Sequence, residues 1–179
     1  MARKYIVEGG YPLSGTIKPN GNKNAALPVI AAVVLTDEEV ILRNIPEIED
    51  VIIMLDILGE LGKTIEKLDS HSYKITGTIT KSSINSDLGR KIRTSILFAG
   101  PLLARCGEVE LPPPGGDVIG RRRLDTDFLA LTKLGSSVEI DTVFKFTANK
   151  LIGRDIFLDE ASVTGTENAV MAAVLAEGK

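Results

Sequence analysis

Three stretches of this 179-residue chain gather side chains able to hold an anion. In Asn20-Gly-Asn-Lys-Asn-Ala-Ala-Leu-Pro28, a glycine turn sets Lys23 and Asn24 at the mouth of an apolar run. Free backbone N–H groups, a helix dipole and an ammonium would converge there. Gly89-Arg-Lys-Ile-Arg-Thr-Ser95 puts cations in the first turn of a second predicted helix, beside the positive end of its dipole. A local rule broken without local gain points to function. In Leu111-Pro-Pro-Pro-Gly-Gly-Asp-Val-Ile-Gly-Arg-Arg-Arg-Leu-Asp-Thr126, prolines stiffen the entry and glycines free the backbone. Such a loop can carry the acid Asp117 to a ligand, with Arg122 and Asp125 binding polar or phosphate groups. Each stretch is also compatible with a solvated helix start or a charged surface loop. From Arg90 to Arg123 there are seven cations against Glu108, Glu110 and Asp117, on a chain whose net charge is −3. The sharper reading of that cluster is a site for an anionic small molecule.

Short strands alternating with helices must position these groups. Tyr5–Glu8 and Ser14–Lys18 read as extended, and Lys23–Leu35 as a buried helix. Glu39–Leu42 reads as a strand, followed by an acid-led helix that Gly62 stops near Leu61. Thr64–Lys67 and Tyr73–Thr76 read as a hairpin. The pattern recurs: Ala25–Leu42 lies over Thr94–Leu111 without a gap at an offset of 69, and Leu61-Gly62 has its counterpart in Leu134-Gly135. A third copy starts at Thr166, with Gly178 at the position of Gly107. Repeats this long predict duplicated supersecondary units sharing one core. Since the third breaks off before its strand, the chain is expected to be part of something longer.

Composition narrows the chemistry. A single histidine, His71, and a single cysteine, Cys106, leave no room for a disulfide framework or a cysteine-rich zinc site, and little for a Ser-His-Asp triad. Cys106 is expected to be a packing residue. The reaction must run on Lys, Arg, Asp and Glu, with no metal and no cofactor. The acidic balance argues against nucleic acid as a general partner. The longest apolar run, Ala25 to Leu35, is far short of the ~20 residues that cross a bilayer. No apolar signal-peptide core follows Met1, so a cytoplasmic location without a membrane partner is expected. The loop around Gly115 lacks the Gly-Lys-Ser/Thr of a Walker A motif and the strand-GxGxxG-helix order of a dinucleotide site.

Lys23-Asn-Ala-Ala-Leu-Pro28, Arg93 with Gly100-Pro-Leu-Leu-Ala-Arg105, and the loop from Leu111 to Asp125 together resemble the amino-terminal half of the UDP-N-acetylglucosamine enolpyruvyl (1-carboxyvinyl) transferases. Ala161-Ser-Val-Thr-Gly-Thr-Glu-Asn168 and Leu175-Ala-Glu-Gly178 extend the resemblance over essentially the whole chain. It covers less than half of that family's usual length. The resemblance implies an α/β (α+β) lobe of the inside-out α/β barrel type, built from repeated βαβαββ units and incomplete here. Residues 1–19 would form strands that pair with a second lobe, and residues 20–179 a partial amino-terminal lobe. It also implies transfer of enolpyruvyl from phosphoenolpyruvate to the 3′-hydroxyl of UDP-N-acetylglucosamine with release of phosphate, the first committed step of peptidoglycan synthesis.

By the same resemblance, Lys23, Asn24 and Arg122 would bind phosphoenolpyruvate. Arg93, Arg122, Arg123, Leu124, Asp125, Thr126, Ser162, Val163 and Thr164 would bind the sugar nucleotide. Asp117 would be the catalytic acid. It stands where many members carry the cysteine that fosfomycin alkylates, as in a known Asp-for-Cys subset, which implies fosfomycin resistance. Asp127 stands where histidine is common, Lys63 where alanine usually follows the Leu-Gly stop, and Glu160 near a position that is basic in some relatives. In the family a second lobe supplies the general base and further arginines. A one-lobe chain is therefore expected to turn over slowly, if at all, and its uncovered apolar surface to permit self-association. The alternatives are a shikimate-pathway enolpyruvyl transferase, which the Pro-Gly-Gly-Asp-Val-Ile-Gly-Arg loop disfavours, and a non-catalytic binding or assembly module.

Overall fold

A computed structural model describes residues 4–116 and 123–179. The first unit comprises α1 (Lys23–Ala32) with a 3₁₀ extension (Val33–Leu35), β1 (Val40–Leu42), α2 (Glu49–Glu60), β2 (Thr64–Asp69) and β3 (Ser72–Thr76). After a short helix α3 (Ser86–Gly89), the second unit has a 3₁₀ segment (Arg93–Phe98) running into α4 (Ala99–Cys106). It continues through β4 (Glu108–Leu111), α5 (Asp125–Lys133), β5 (Ser137–Ile140) and β6 (Phe144–Thr147). A final helix, α6 (Val163–Ala173), belongs to the third.

The 69-residue offset is realised in three dimensions, since β1 falls on Val109–Leu111 of β4. Each unit closes its own antiparallel sheet, in the orders β1-β3-β2 and β4-β6-β5. Ile41 faces Lys74 in the first and Val109 faces Phe146 in the second. Both outer helices stop in the same way. Lys63 N–H bonds the Leu58 carbonyl and Gly62 N–H that of Gly59; Ser136 and Gly135 repeat the pair on Leu131 and Thr132. This double closure needs a left-handed residue, which Gly62 and Gly135 supply at φ 120° and 107°.

Parallel bridges complete the β-α-β part of the pattern. Ser83 pairs with Glu110, and Ile152 with Glu177, so segments beside Ser83 and Ile152 open the second and third units. The third unit therefore begins earlier than Thr166: α6 starts at Val163, capped by Ser162, and Glu177 already bridges to Ile152. The first unit shows no such opening strand. Tyr5–Glu8 and Ser14–Lys18 join no sheet among the described residues, because an extended segment needs a ladder partner. Tyr5, Ile6, Val7, Leu13 and Ile17 are correspondingly exposed.

The layering is inside out. α1, the 3₁₀–α4 pair and α6 meet at the centre, where Ile30, Ile96, Phe98, Leu102 and Ala172 are fully buried, while β2 lies on the surface. Gly100 allows the closest approach: a Cβ there would lie 2.5 Å from the Asn168 carbonyl oxygen. No closed barrel forms among the described residues. Lys63 ties together its own unit, its buried ammonium donating to the carbonyls of Thr36 (2.5 Å) and Gly77 (2.7 Å), while Arg105 links the second unit to the first by reaching Asp37 at 2.7 Å. Cys106 corrects the expectation of a packing role, for it is exposed at the end of α4.

Candidate functional site

The starts of α1 and of the 3₁₀ segment face a shared cleft of about 770 Å³. Lys23, Asn24 and Leu27 line one side, Lys91 to Thr94 another, and Glu49, Asp50 and Gly116 complete it. Lys23, Asn24 and Arg93, far apart in the chain, are thus brought together. Asn24 and Arg93 occupy equivalent repeat positions, so the duplication itself sets two helix starts side by side. Asn22 caps α1 by accepting from Ala25 N–H at 3.2 Å. The second unit's start differs from the prediction: Arg90 and Lys91 precede the helix rather than filling its first turn, and that turn is 3₁₀.

The glycine-rich loop enters against this cleft at van der Waals limits. A Cβ on Gly115 would lie 1.6 Å from the Arg90 carbonyl oxygen, so no other residue fits without displacing the backbone. Gly116, at φ +93°, packs on the Arg93 amide. The loop therefore sets out toward Arg93. Asp117 and Arg122 lie outside the described residues.

On the far side of the loop, Arg93 Nη2 donates to the Arg123 carbonyl at 3.0 Å, tying the 3₁₀ segment to the chain entering α5. Arg123 pairs with Asp125 (Nε to Oδ2, 2.6 Å), and this hydrogen bond and charge hold the guanidinium proton more tightly than usual. Leu124 precedes the helix in a non-helical conformation. Thr126 is buried against Gly165, its hydroxyl without a hydrogen-bond partner among the described residues.

Ser162 and Val163 do not line the cleft. They face a second hollow of about 750 Å³ with Phe157, Glu160 and Glu167. Ser162 Oγ accepts from Gly165 N–H at 3.1 Å, and Thr164 donates to Asp127 at 3.2 Å. The predicted residues thus fall into two neighbouring groups, linked through Arg93–Arg123 and through Asp127.

Three features of the site escaped the sequence reading. Lys23 is not a free cation: its Nζ sits 2.8 Å from Asp50, so carboxylates share the cleft with Lys23, Lys91 and Arg93. Glu49 and Asp50 suit the positive end of the α2 dipole, but that preference does not specify which cation they meet. Thr94 lines the cleft with a buried hydroxyl that has no hydrogen-bond partner among the described residues. Asp127 and Asn168 are fully buried between α5, α6 and the central helix. Polar residues in the apolar stripe of a predicted helix were the available signal for that pair. Among the described residues, no three His, Cys, Asp or Glu side chains gather as a metal site, and no helix is long and apolar enough to cross a membrane.

Comparison with known proteins adds to this geometry. The family model described as EPSP synthase (3-phosphoshikimate 1-carboxyvinyltransferase) matches residues 7–179. The chain is 64% identical over 176 residues to a UDP-N-acetylglucosamine 1-carboxyvinyltransferase of Treponema denticola, covering 98% of this chain and 41% of that protein. Its namesake in Treponema pallidum is 59% identical over 97% of this chain and 41% of the relative. The chain thus spans about two-fifths of the length of these relatives. Among solved structures, the enolpyruvyl transferase NikO of Streptomyces tendae superposes with a TM-score of 0.78 at 18% identity, covering 95% of this chain and 40% of that one. An EPSP synthase of Acinetobacter baumannii gives 0.72 at 20% identity, over 92% and 39%. At these identities the likeness to the solved structures is one of fold.

Proposed function

Because the chain belongs to the EPSP synthase (3-phosphoshikimate 1-carboxyvinyltransferase) family, we propose that it forms the substrate-binding part of one lobe of an enolpyruvyl transferase acting on UDP-N-acetylglucosamine. The carrying observation is the convergence of Lys23, Asn24 and Arg93 on one cleft that Gly116 also lines.

Phosphoenolpyruvate is a polyanion of about the size such a cleft admits. Lys23 and Asn24 would take its phosphate at the start of α1, where backbone N–H groups and dipole assist, and Arg122 would join them from the loop. Arg93 and the Arg123–Thr126 stretch, with Ser162–Thr164, would hold the sugar nucleotide. The 3′-hydroxyl then adds to C2 of phosphoenolpyruvate while a proton reaches its methylene carbon. The tetrahedral intermediate expels phosphate as that methyl group loses a proton, restoring the carbon–carbon double bond and leaving the enol ether of the sugar. Asp117 supplies the first proton, which requires a carboxyl pKa raised by burial against ligand. Fixed cations around the intermediate lower its energy without reorganising. A second lobe would provide the general base and further arginines, and residues 1–19 would pair with it.

In this reading the product feeds cell-wall synthesis and so cell shape and division, in the cytoplasm. Asp117 also makes the enzyme fosfomycin-resistant, because a carboxylate replaces the thiolate that the epoxide alkylates. Intact-mass spectrometry after fosfomycin treatment should show no adduct on the loop; an adduct on Asp117 would overturn this.

The description of the family model favours a second reading, a shikimate-pathway transferase. The sugar nucleotide is preferred because relatives at 64% and 59% identity carry that name. Calorimetric titration decides: UDP-N-acetylglucosamine should bind the chain, and Arg93→Ala should weaken it by roughly tenfold or more, the scale of a charge-assisted hydrogen bond. Preferential binding of shikimate 3-phosphate would reverse the assignment. Multiple-turnover phosphate release by this chain alone at an ordinary enzyme rate would show that no second lobe is needed.

A further inference from the structure

Asp127 lies in the first turn of α5 and is fully buried, yet the proposed reaction gives it no task. Its two carboxylate oxygens serve two residues of one helix. Oδ1 accepts from Asn168 Nδ2 at 2.8 Å and Oδ2 from the Thr164 hydroxyl at 3.2 Å, both on α6. Asn168 carries the linkage further. The same amide nitrogen donates to the Ile96 carbonyl at 3.1 Å, and its oxygen accepts Gly100 N–H at 2.8 Å. Gly100 is in the first turn of α4, where backbone N–H groups lack an intrahelical partner, and Ile96 is in the 3₁₀ segment that Arg93 opens.

These bonds fix the amide in one orientation. Turning Asn168 over would set its oxygen against the Asp127 carboxylate and its NH₂ against Gly100 N–H, two repulsive contacts in a buried space. The carboxylate therefore decides how α6 engages the central helix. Thr164, held by the other oxygen, adjoins Ser162 and Val163. Burial pushes the Asp127 carboxyl above the ordinary aspartate range, against the donors of Asn168 and Thr164 and the charge of Arg93. The group is thus retained where an apolar residue would be easier to bury.

We propose that Asp127 is a positioning residue, setting the 162–164 turn of α6 relative to Arg93 so that both can engage one sugar nucleotide. This rests on the functional reading above.

Three variants of the full chain test it. Asp127→Ala removes both acceptors. Asp127→Asn keeps the acceptor for Asn168 and turns its NH₂ to the Thr164 hydroxyl, which can accept. Ile75→Ala destabilises the first sheet, which lines neither hollow. Amide hydrogen exchange at Gly100 and Gly165, and calorimetric titration with UDP-N-acetylglucosamine, are the readouts. Asp127→Ala should speed both amides and weaken binding, each by about tenfold or more, the scale of a lost buried hydrogen bond. Asp127→Asn should restore both readouts to within about threefold of wild type. Ile75→Ala should lower the melting temperature while sparing them.

Wild-type affinity in Asp127→Ala overturns the proposal. So does an Asp127→Asn protein with wild-type exchange that binds as poorly as the alanine variant, for then charge rather than placement is what matters. If wild type binds no UDP-N-acetylglucosamine, the functional reading fails, and Gly165 exchange alone decides the positioning claim. If Asp127→Ala does not fold, Thr164→Val removes the Oδ2 bond to the first turn of α6 alone, and unchanged Gly165 exchange in that variant overturns the proposal.

Discussion

At the scale of single residues, the cleft pairs Lys23 with a competitor for any anion, Asp50. Lys23 and Asp50 are both more than a third exposed, so their ion pair contributes at most about 1 kcal/mol to stability. An incoming phosphate must displace the Asp50 carboxylate from the ammonium. Asp50→Asn should therefore leave the melting temperature nearly unchanged and tighten phosphoenolpyruvate binding by about two- to fivefold, as titration would register. Weaker binding would mean that Asp50 itself holds ligand. The buried acid makes a different prediction. Asp127 has a folded-state pKa above its unfolded value, so the folded protein holds that proton more tightly. Its contribution to stability is full below the unfolded pKa of about 3.9 and is lost as pH rises through the folded pKa. Exposed Asp37, Glu47 and Asp69 are shifted downward and act in the opposite sense. The difference between wild type and Asp127→Asn isolates the buried group: thermal melts from pH 4 to 7 should show wild type losing ground to the variant as pH rises. A flat difference would mean that Asp127 titrates as it does in the unfolded chain.

Elements convert these residues into a site by their ends. α1 and the 3₁₀ segment start side by side because they are equivalent parts of a repeat, and the loop reaches them because Gly115 and Gly116 carry no side chain. Gly115→Ala should force the loop off Arg90, costing about 1–3 kcal/mol in denaturant unfolding. It should weaken ligand binding more than a core substitution of equal cost; equal effects would remove the loop from the site. Much of this was legible in the sequence. The repeat offset, the Leu-Gly helix stops and the hairpins all depend on contacts within one unit, which local pattern encodes. Tyr5–Glu8 and Ser14–Lys18 join no sheet among the described residues, because extended propensity says nothing about whether a partner is at hand. The Asp127–Asn168 bond and the Lys23–Asp50 pair join residues 41 and 27 positions apart, which no spacing rule reaches. Cys106 was placed in the core by the habits of its residue type, whereas its position at the last turn of α4 decides its exposure.

At the scale of the molecule, the core and the leading segment obey different rules. Ile6, Val7, Leu13 and Ile17 are each at least 79% exposed and add almost nothing to the packed interior. Removing residues 4–18 should leave the melting temperature within about 2 °C, no more than the shift caused by about 1 kcal/mol in a domain of this size. If those side chains drive self-association, light scattering should find the shortened chain less aggregated than the parent; a large thermal loss would show that the segment does dock. The self-contained sheets carry one more consequence. β1, β2 and β3 all fall within residues 40–76, and β4, β5 and β6 within 108–147. Neither sheet waits for a strand from the other, so the loop-closure cost of pairing stays small and each can form quickly. On the ribosome, the first sheet can be complete while the residues of the second are still in the exit tunnel. Folding would then run in the order of synthesis, with α1 exposing apolar surface to the chaperone machinery until the 3₁₀ segment of the second unit arrives to cover it.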